Sequence, residues 1–162
     1  MTRFLVISDT HNRLLPLSRH LDFFGELGAD AIIHLGDCTS DGEFLAKNMR
    51  LPLYAVSGNC DSFRSRYPSV DILEEEGVRV LFCHGHGFHV KSDTLNLYYA
   101  AMERNCSVAL FGHTHESFLE EQGGILLMNP GSFGEPRLSD PSIALLTLDK
   151  GKAKGLLLPC KA

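Results

Sequence analysis

Apolar residues gather into short runs along the chain: FLVIS (4–8), AIIHL (31–35), LYAVS (53–57), VRVLFC (78–83), VALF (108–111), GILLM (124–128) and IALLTL (143–148). Such runs, bounded by glycine and small polar residues, read as strands, and their near-continuous apolar character predicts sheets covered on both faces. Between them the spacing turns helical. Leu14, Leu17, Leu21 and Phe24 recur at intervals of three and four and stop before Gly25 and Gly28, predicting one helix. A second helix is expected over Asp41–Met49, and a third over Thr94–Glu103 with Asp93 as its cap. From about residue 117 the pattern changes to short strands joined by turns, QGG at 122–124 and DKGK at 149–152. An α/β front half with a more antiparallel rear half predicts packed sheets flanked by helices.

A chain of 162 residues and 17.9 kDa is expected to form one domain over 1–162. Its 44% hydrophobic and 22% charged content excludes disorder. The net charge of -5 and the lack of a polybasic run argue against a nucleic-acid binder that blankets phosphates with basic side chains. FLVIS is too short for a membrane span and runs straight into polar residues. Five cysteines without a CxxC give no disulfide scaffold, so a reducing cytoplasm is the expected location.

The chemistry lies at the ends of the runs. After FLVIS comes DTH (Asp9, His11), after AIIHL comes GD (Asp37), and after LYAVS comes GNCD (Asn59, Cys60, Asp61). VRVLFC leads into HGH (His84, His86), and VALF into GHTH (His113, His115). In a parallel sheet these C-terminal ends share one edge, where α/β proteins build their sites. Extended alternation is expected to point Asp9 with His11, and His113 with His115, the same way, and Asn59 and Cys60 opposite ways. A lone histidine or aspartate after a strand is usually a hydrogen-bonded turn residue; five such ends together point to one site. Carboxylate, imidazole and carboxamide groups without thiolate pairs suit Mn, Fe, Ni, Co or Zn, and they outnumber the ligands of one ion, which favours two.

The ordered set DTH, GD, GNCD, HGH and GHTH resembles the signature of the calcineurin-like metallophosphoesterases, and NPGS (129–132) with the short length resembles their YfcE-type phosphodiesterases. The resemblance implies a four-layer α/β/β/α sandwich of two mixed sheets with a dinuclear site at the C-terminal strand ends. It implies Asp9, His11 and His115 on one divalent ion, Asn59, His84 and His113 on the other, and Asp37 bridging, with manganese first among the candidate metals. The implied reaction is hydrolysis of a small-molecule phosphodiester by a metal-bridging hydroxide, with no membrane partner and with a homo-oligomer open.

Most relatives carry a histidine where this chain has Cys60, and a thiol is the poorer general acid, so activated diesters are the expected substrates. Cys60 is read as a packing or supporting thiol, Asp61 as orienting a water or ligand or else capping a turn, and His86 as facing the phosphate. Arg64, Arg66 and Arg137 are candidate phosphate contacts, against the alternative of solvated surface arginines. Phe63, Tyr67, Phe88 and Phe133 form a candidate apolar wall. His34 is read as a satisfied core histidine, His20 and His89 as surface residues, and Cys106 and Cys160 as buried small residues. Two rival readings stand: a binding scaffold, since the sequence is also similar to the retromer subunit of the superfamily, and a single-metal amide hydrolase.

Overall fold

The computed structural model describes residues 1–137 and 139–160. Strand β1 (Thr2–Ile7) is followed by helices α1 (Leu14–Arg19) and α2 (Leu21–Glu26), β2 (Ala31–His34), α3 (Thr39–Met49) and β3 (Leu53–Ala55). The hairpin β4 (Val70–Glu75) and β5 (Val78–Cys83) leads through a 3-10 turn, His86–Phe88, to α4 (Leu95–Glu103) and β6 (Val108–Leu110). Two more hairpins close the chain: β7 (Ser117–Gln122) with β8 (Ile125–Pro130), and β9 (Ser142–Asp149) with β10 (Lys152–Pro159).

Two five-stranded mixed sheets result, in the orders β10-β9-β1-β2-β3 and β4-β5-β6-β8-β7. β1, β2 and β3 run parallel, as do β5, β6 and β8. Alternation along β1 explains the layering. Phe4 and Val6 face the second sheet in a core with Val80, Phe82, Val108, Leu110 and Leu146, while Leu5 and Ile7 face α1 to α3 with Leu17, Phe24 and Leu45. On the far side Leu81, Ala109 and Leu127 pack against Leu97 and Ala101 of α4. The layers are therefore α/β/β/α. Among the described residues no helix is long and apolar enough to cross a membrane.

Two elements differ from the sequence expectation. The helix over Leu14 to Phe24 is broken at His20 into two short helices, because His20 Nδ1 is bonded to the Pro16 carbonyl at 2.7 Å in competition with the helical ladder. Leu14 is accordingly exposed while Leu17 and Phe24 are buried. The segment VDILEE, which has no apolar run, forms edge strand β4, in which Leu73 is the buried residue.

Candidate metal centre

The C-terminal ends of β1, β2, β3, β5 and β6 meet along one edge, where the two sheets approach to backbone contact. A Cβ on Gly58 would strike Asp37, and one on Gly112 would strike the side chains of Ser8 and Asp9. Only glycine lets these loops close on the carboxylates.

Asp9 and Asp37 lie buried at the centre. Ligand atoms of Asp9, His11, Asp37 and His115 all lie within 4.8 Å of one another. His11 Nε2 is 3.4 Å from His115 Nε2, and on the other side His113 Nδ1 is 3.2 Å from His84 Nε2. His84 Nε2 is 3.4 Å from Asp37 Oδ2 and 3.8 Å from Asp9 Oδ1, which also lies 3.2 Å from His115 Nε2. Two imidazole pairs thus flank two carboxylates.

Tautomers sharpen this picture. His115 Nδ1 is bonded to the Glu135 carbonyl at 2.6 Å, and His84 Nδ1 to the Leu35 carbonyl at 2.7 Å. A carbonyl only accepts, so each Nδ1 carries a proton and each Nε2 is turned towards the carboxylates. The space between each Nε2 and the carboxylate oxygens suits a proton or a metal ion. Asp9 Oδ1 is correspondingly buried without a hydrogen-bond donor, while Oδ2 accepts from Ser8 Oγ at 2.6 Å and from the His113 N–H at 3.1 Å. The donor set fits divalent metal, with His84 and His115 each oriented by a backbone acceptor.

The electrostatics agree. Burial opposes the charge of Asp37, but His84, the Cys60 N–H and His11 outweigh it and hold the carboxyl below its ordinary range. Contact with Asp9 raises the proton affinity of His115; at His84 burial lowers it, yet Asp37 and Asp9 prevail and raise it. His113, desolvated and facing His84 and Lys91, is pushed down to about 4. The cluster draws positive charge to its centre.

The side chains converge, though not by alternation. Asp9, His11, Asp37, His113 and His115 all have positive φ, between 48° and 70°, so left-handed turns gather them. Asn59 and Cys60 do not diverge either; their segment is a turn, and Asn59 Nδ2 lies 3.7 Å from Cys60 Sγ. Both are exposed, and the Cys60 N–H bonds Asp37 Oδ1 at 2.8 Å. Burial and then the nearby Asp37 raise the Cys60 thiol pKa.

Asp61 has a definite task. Its Oδ2 accepts from the backbone N–H of Gly58 (2.7 Å) and Asp37 (2.8 Å), and its Oδ1 from those of Cys38 (2.9 Å) and Thr39 (3.0 Å). It clamps the GD loop and the start of α3 to the GNCD turn, with both of its oxygens engaged by backbone donors. His86 is exposed on the rim, its ring 5.5 Å from that of His84 and 6.1 Å from that of His113. Arg64 and Arg137 line different clefts: Arg64 one with His11, Cys60 and Tyr67, and Arg137 another with Thr114 and Phe118. Arg66 is bound to Glu43 at 2.9 Å and Tyr67 Oη at 3.0 Å. Phe63 is 92% exposed, and Phe133 is buried against Phe24 and His20, so the four aromatics form no common wall.

Sequence reasoning missed the supports. Ser132 Oγ donates to the Asp9 carbonyl and accepts from the Glu135 N–H, both at 2.8 Å, and Asn129 ties Gly112 and Thr114 to the NPGS turn. NPGS was the available signal; its function is to lock the DTH and GHTH loops together. His34 is buried and satisfied, bonded to Thr10 Oγ1 at 3.0 Å and accepting the Gly36 N–H at 3.1 Å.

Two back-to-back mixed sheets, with carboxylates and imidazoles gathered where their parallel strands end, form a candidate metal site of the α/β/β/α class. Residues 2–151 match the calcineurin-like phosphoesterase superfamily domain, and the chain belongs to that superfamily, whose members use divalent metals. It is 35% identical over 151 residues to a Methanothermobacter thermautotrophicus protein named probable metallophosphoesterase, covering 91% of this chain and 86% of that protein. It is 30% identical over 164 residues to phosphodiesterase YfcE of Escherichia coli, covering 88% of this chain and 85% of YfcE. Among solved structures, a Streptococcus pneumoniae protein described as a predicted phosphoesterase superposes with a TM-score of 0.81 at 27% identity, over 98% of this chain and 89% of its own. Vps29 of Entamoeba histolytica, at 20% identity and a TM-score of 0.78 over 99% of this chain and all of its own, shares the fold.

Proposed function

We propose that this protein is a dinuclear metal-dependent phosphodiesterase. The observation that carries the reading is the pair of imidazole couples, His11 with His115 and His84 with His113, on either side of Asp9 and Asp37. Asp9, His11 and His115 would hold one divalent ion, His84, His113 and Asn59 the second, and Asp37 would bridge. Two such ions supply an activated water and a clamp on the phosphoryl oxygens, so no protein nucleophile is needed. Manganese is the first candidate for both.

The chain's own residues orient and insulate. Leu35 and Glu135 carbonyls fix two imidazoles, Ser8 and the His113 N–H fix Asp9, and Asp61 fixes the loop that carries Asp37. Cys60 stands beside Asp37 as a neutral thiol, a weak proton donor, and His86 is the nearest imidazole outside the ligand set. Departure of the alcohol therefore depends on the alcohol's own acidity, which favours aryl and other activated diesters.

The scaffold reading shares the fold; the candidate ligands retained at all seven positions favour catalysis over it, and turnover separates the two. The test is chelation followed by manganese addition, assayed on bis(4-nitrophenyl) phosphate with elemental analysis. Two metals per chain, activity restored by metal, and activity abolished in Asp37→Ala are expected. Metal-loaded protein that does not hydrolyse the diester, or Asp37→Ala with an undiminished rate, overturns the reading; one metal per chain overturns the dinuclear part.

A further inference from the structure

The metal centre is flanked by two clefts. The first, about 730 Å³ and open, is lined by His11, Asn12, Cys60, Arg64 and Tyr67 among others. The second, about 500 Å³, has Thr114 and Arg137 in its lining and none of the candidate metal ligands. Thr114 stands between ligands His113 and His115, and the Arg137 N–H bonds the His115 carbonyl at 3.1 Å. The first cleft thus includes a candidate ligand in its wall, and the second is built on the segments that carry His113 and His115.

Their linings differ. The floor of the second cleft is aromatic and aliphatic: Phe111 and Val90 are buried, and Phe118 is half-buried with its ring 5.8 Å from that of Phe111. Lys91 and Arg137 are outnumbered there by Asp93, Glu116 and Glu120, so the cleft does not suit a further anionic group. It suits an uncharged ring.

A phosphodiester has two ester groups in addition to the phosphoryl centre, whereas a monoester has one. Resting on the phosphodiesterase reading, we propose that the second cleft is a subsite for one ester group of the substrate, selecting an aromatic alcohol, with Phe118 and Arg137 as specificity-determining residues. Phe118 is the half-buried aromatic ring of the lining and would stack on the substrate ring, and Arg137 is the lining cation whose backbone joins it to His115. The other ester group leaves through the first cleft.

The experiment compares bis(4-nitrophenyl) phosphate with methyl 4-nitrophenyl phosphate in manganese, in wild type and in two variants that fill the cleft from opposite walls. Glu120→Phe lies on exposed edge strand β7 two residues from Phe118, and Thr94→Trp replaces a residue whose side chain makes no cap hydrogen bond. Each is expected to lower the ratio of kcat/KM for the bis-aryl over the methyl diester about tenfold, a change worth about 1.4 kcal/mol. Amide shifts on adding the bis-aryl diester to metal-free protein, which does not turn it over, are expected at residues 90–94 and 117–120. Both diesters hydrolysed with an unchanged ratio in the two variants, or shifts confined to residues 60–67, overturns the subsite and leaves the phosphodiesterase reading standing. Neither diester hydrolysed by wild type overturns that reading, and the subsite with it.

Discussion

Replacing Asp61 by asparagine isolates what that carboxylate does. Its two oxygens accept four backbone N–H groups, from Gly58, Asp37, Cys38 and Thr39, at 2.7–3.0 Å. Asparagine keeps one accepting oxygen, so two donors lose their acceptor and meet an NH2 group instead. Each stranded donor costs about 1–3 kcal/mol where buried, and the partial exposure of Asp61 lets water return part of this, giving about 2–4 kcal/mol for the pair. At about 2–4 °C per kcal/mol for a chain of this size, the thermal midpoint should fall by about 4–16 °C. Because the freed loop carries Asp37, metal affinity should fall about 10–100-fold. Thermal unfolding by circular dichroism reads the first effect and titration of metal-free protein with manganese the second, while kcat at saturating manganese should change little. A midpoint within about 2 °C of wild type and unchanged metal affinity, with kcat lost, would refute the clamp and assign Asp61 to the chemistry.

Three further outcomes are expected. Saturating manganese at about 100-fold over its dissociation constant should stabilise the metal-free protein by about 2.7 kcal/mol, seen in calorimetry as a midpoint shift of about 5–10 °C that Asp9→Asn abolishes. His34 accepts the Gly36 N–H at Nδ1, so its proton sits on Nε2 facing Thr10, and burial lowers its pKa; nitrogen NMR should find that one neutral tautomer at about pH 6, where a free imidazole would be mostly charged. An exposed Cys60 and half-exposed Cys38 should react with Ellman's reagent in the folded protein, whereas Cys83, with its thiol pKa pushed up to about 12 by burial, and Cys106 and Cys160 should wait for unfolding; five thiols titrating at one rate would contradict the packing.

Strands β1, β2, β5 and β8 were legible because each is buried on both faces and so reads as an apolar run. β4 was not: an edge strand has one neighbour and one buried face, and VDILEE answers to that with acids. The broken helix after β1 was illegible for a different reason, since a side-chain bond from His20 to the turn before it leaves the apolar spacing intact. In the site, ligand types and their order along the chain were readable, because chemistry restricts which residues hold metal. Ser8, Ser132 and the Glu135 carbonyl were not, since a serine in a turn is ordinary until a second sheet places a ligand's backbone against it.

Strand alternation gathers these residues through the wrong geometry, and the actual geometry says more. Five ligand residues sit at positive φ, where a non-glycine residue costs of order 1–3 kcal/mol and persists only if its surroundings over-determine it. Their sum rivals the roughly 5–15 kcal/mol of net stability of a whole domain. The surroundings are identifiable: Asp9 N–H to the Gly36 carbonyl, Gly112 N–H to the His84 carbonyl and Phe133 N–H to the Ser8 carbonyl, at 2.8–3.2 Å, each joining one ligand loop to another. Buried carboxylates Asp9 and Asp37 add their own cost, because like charges in a dry site repel until a cation lies between them. Extended strands leading into ordinary turns would spare the fold both burdens at no loss to either sheet. A cation at the centre relieves the repulsion and gives the strained loops a common task, and Cys60, whose N–H holds Asp37 while its thiol stays outside, belongs to that arrangement through its backbone first.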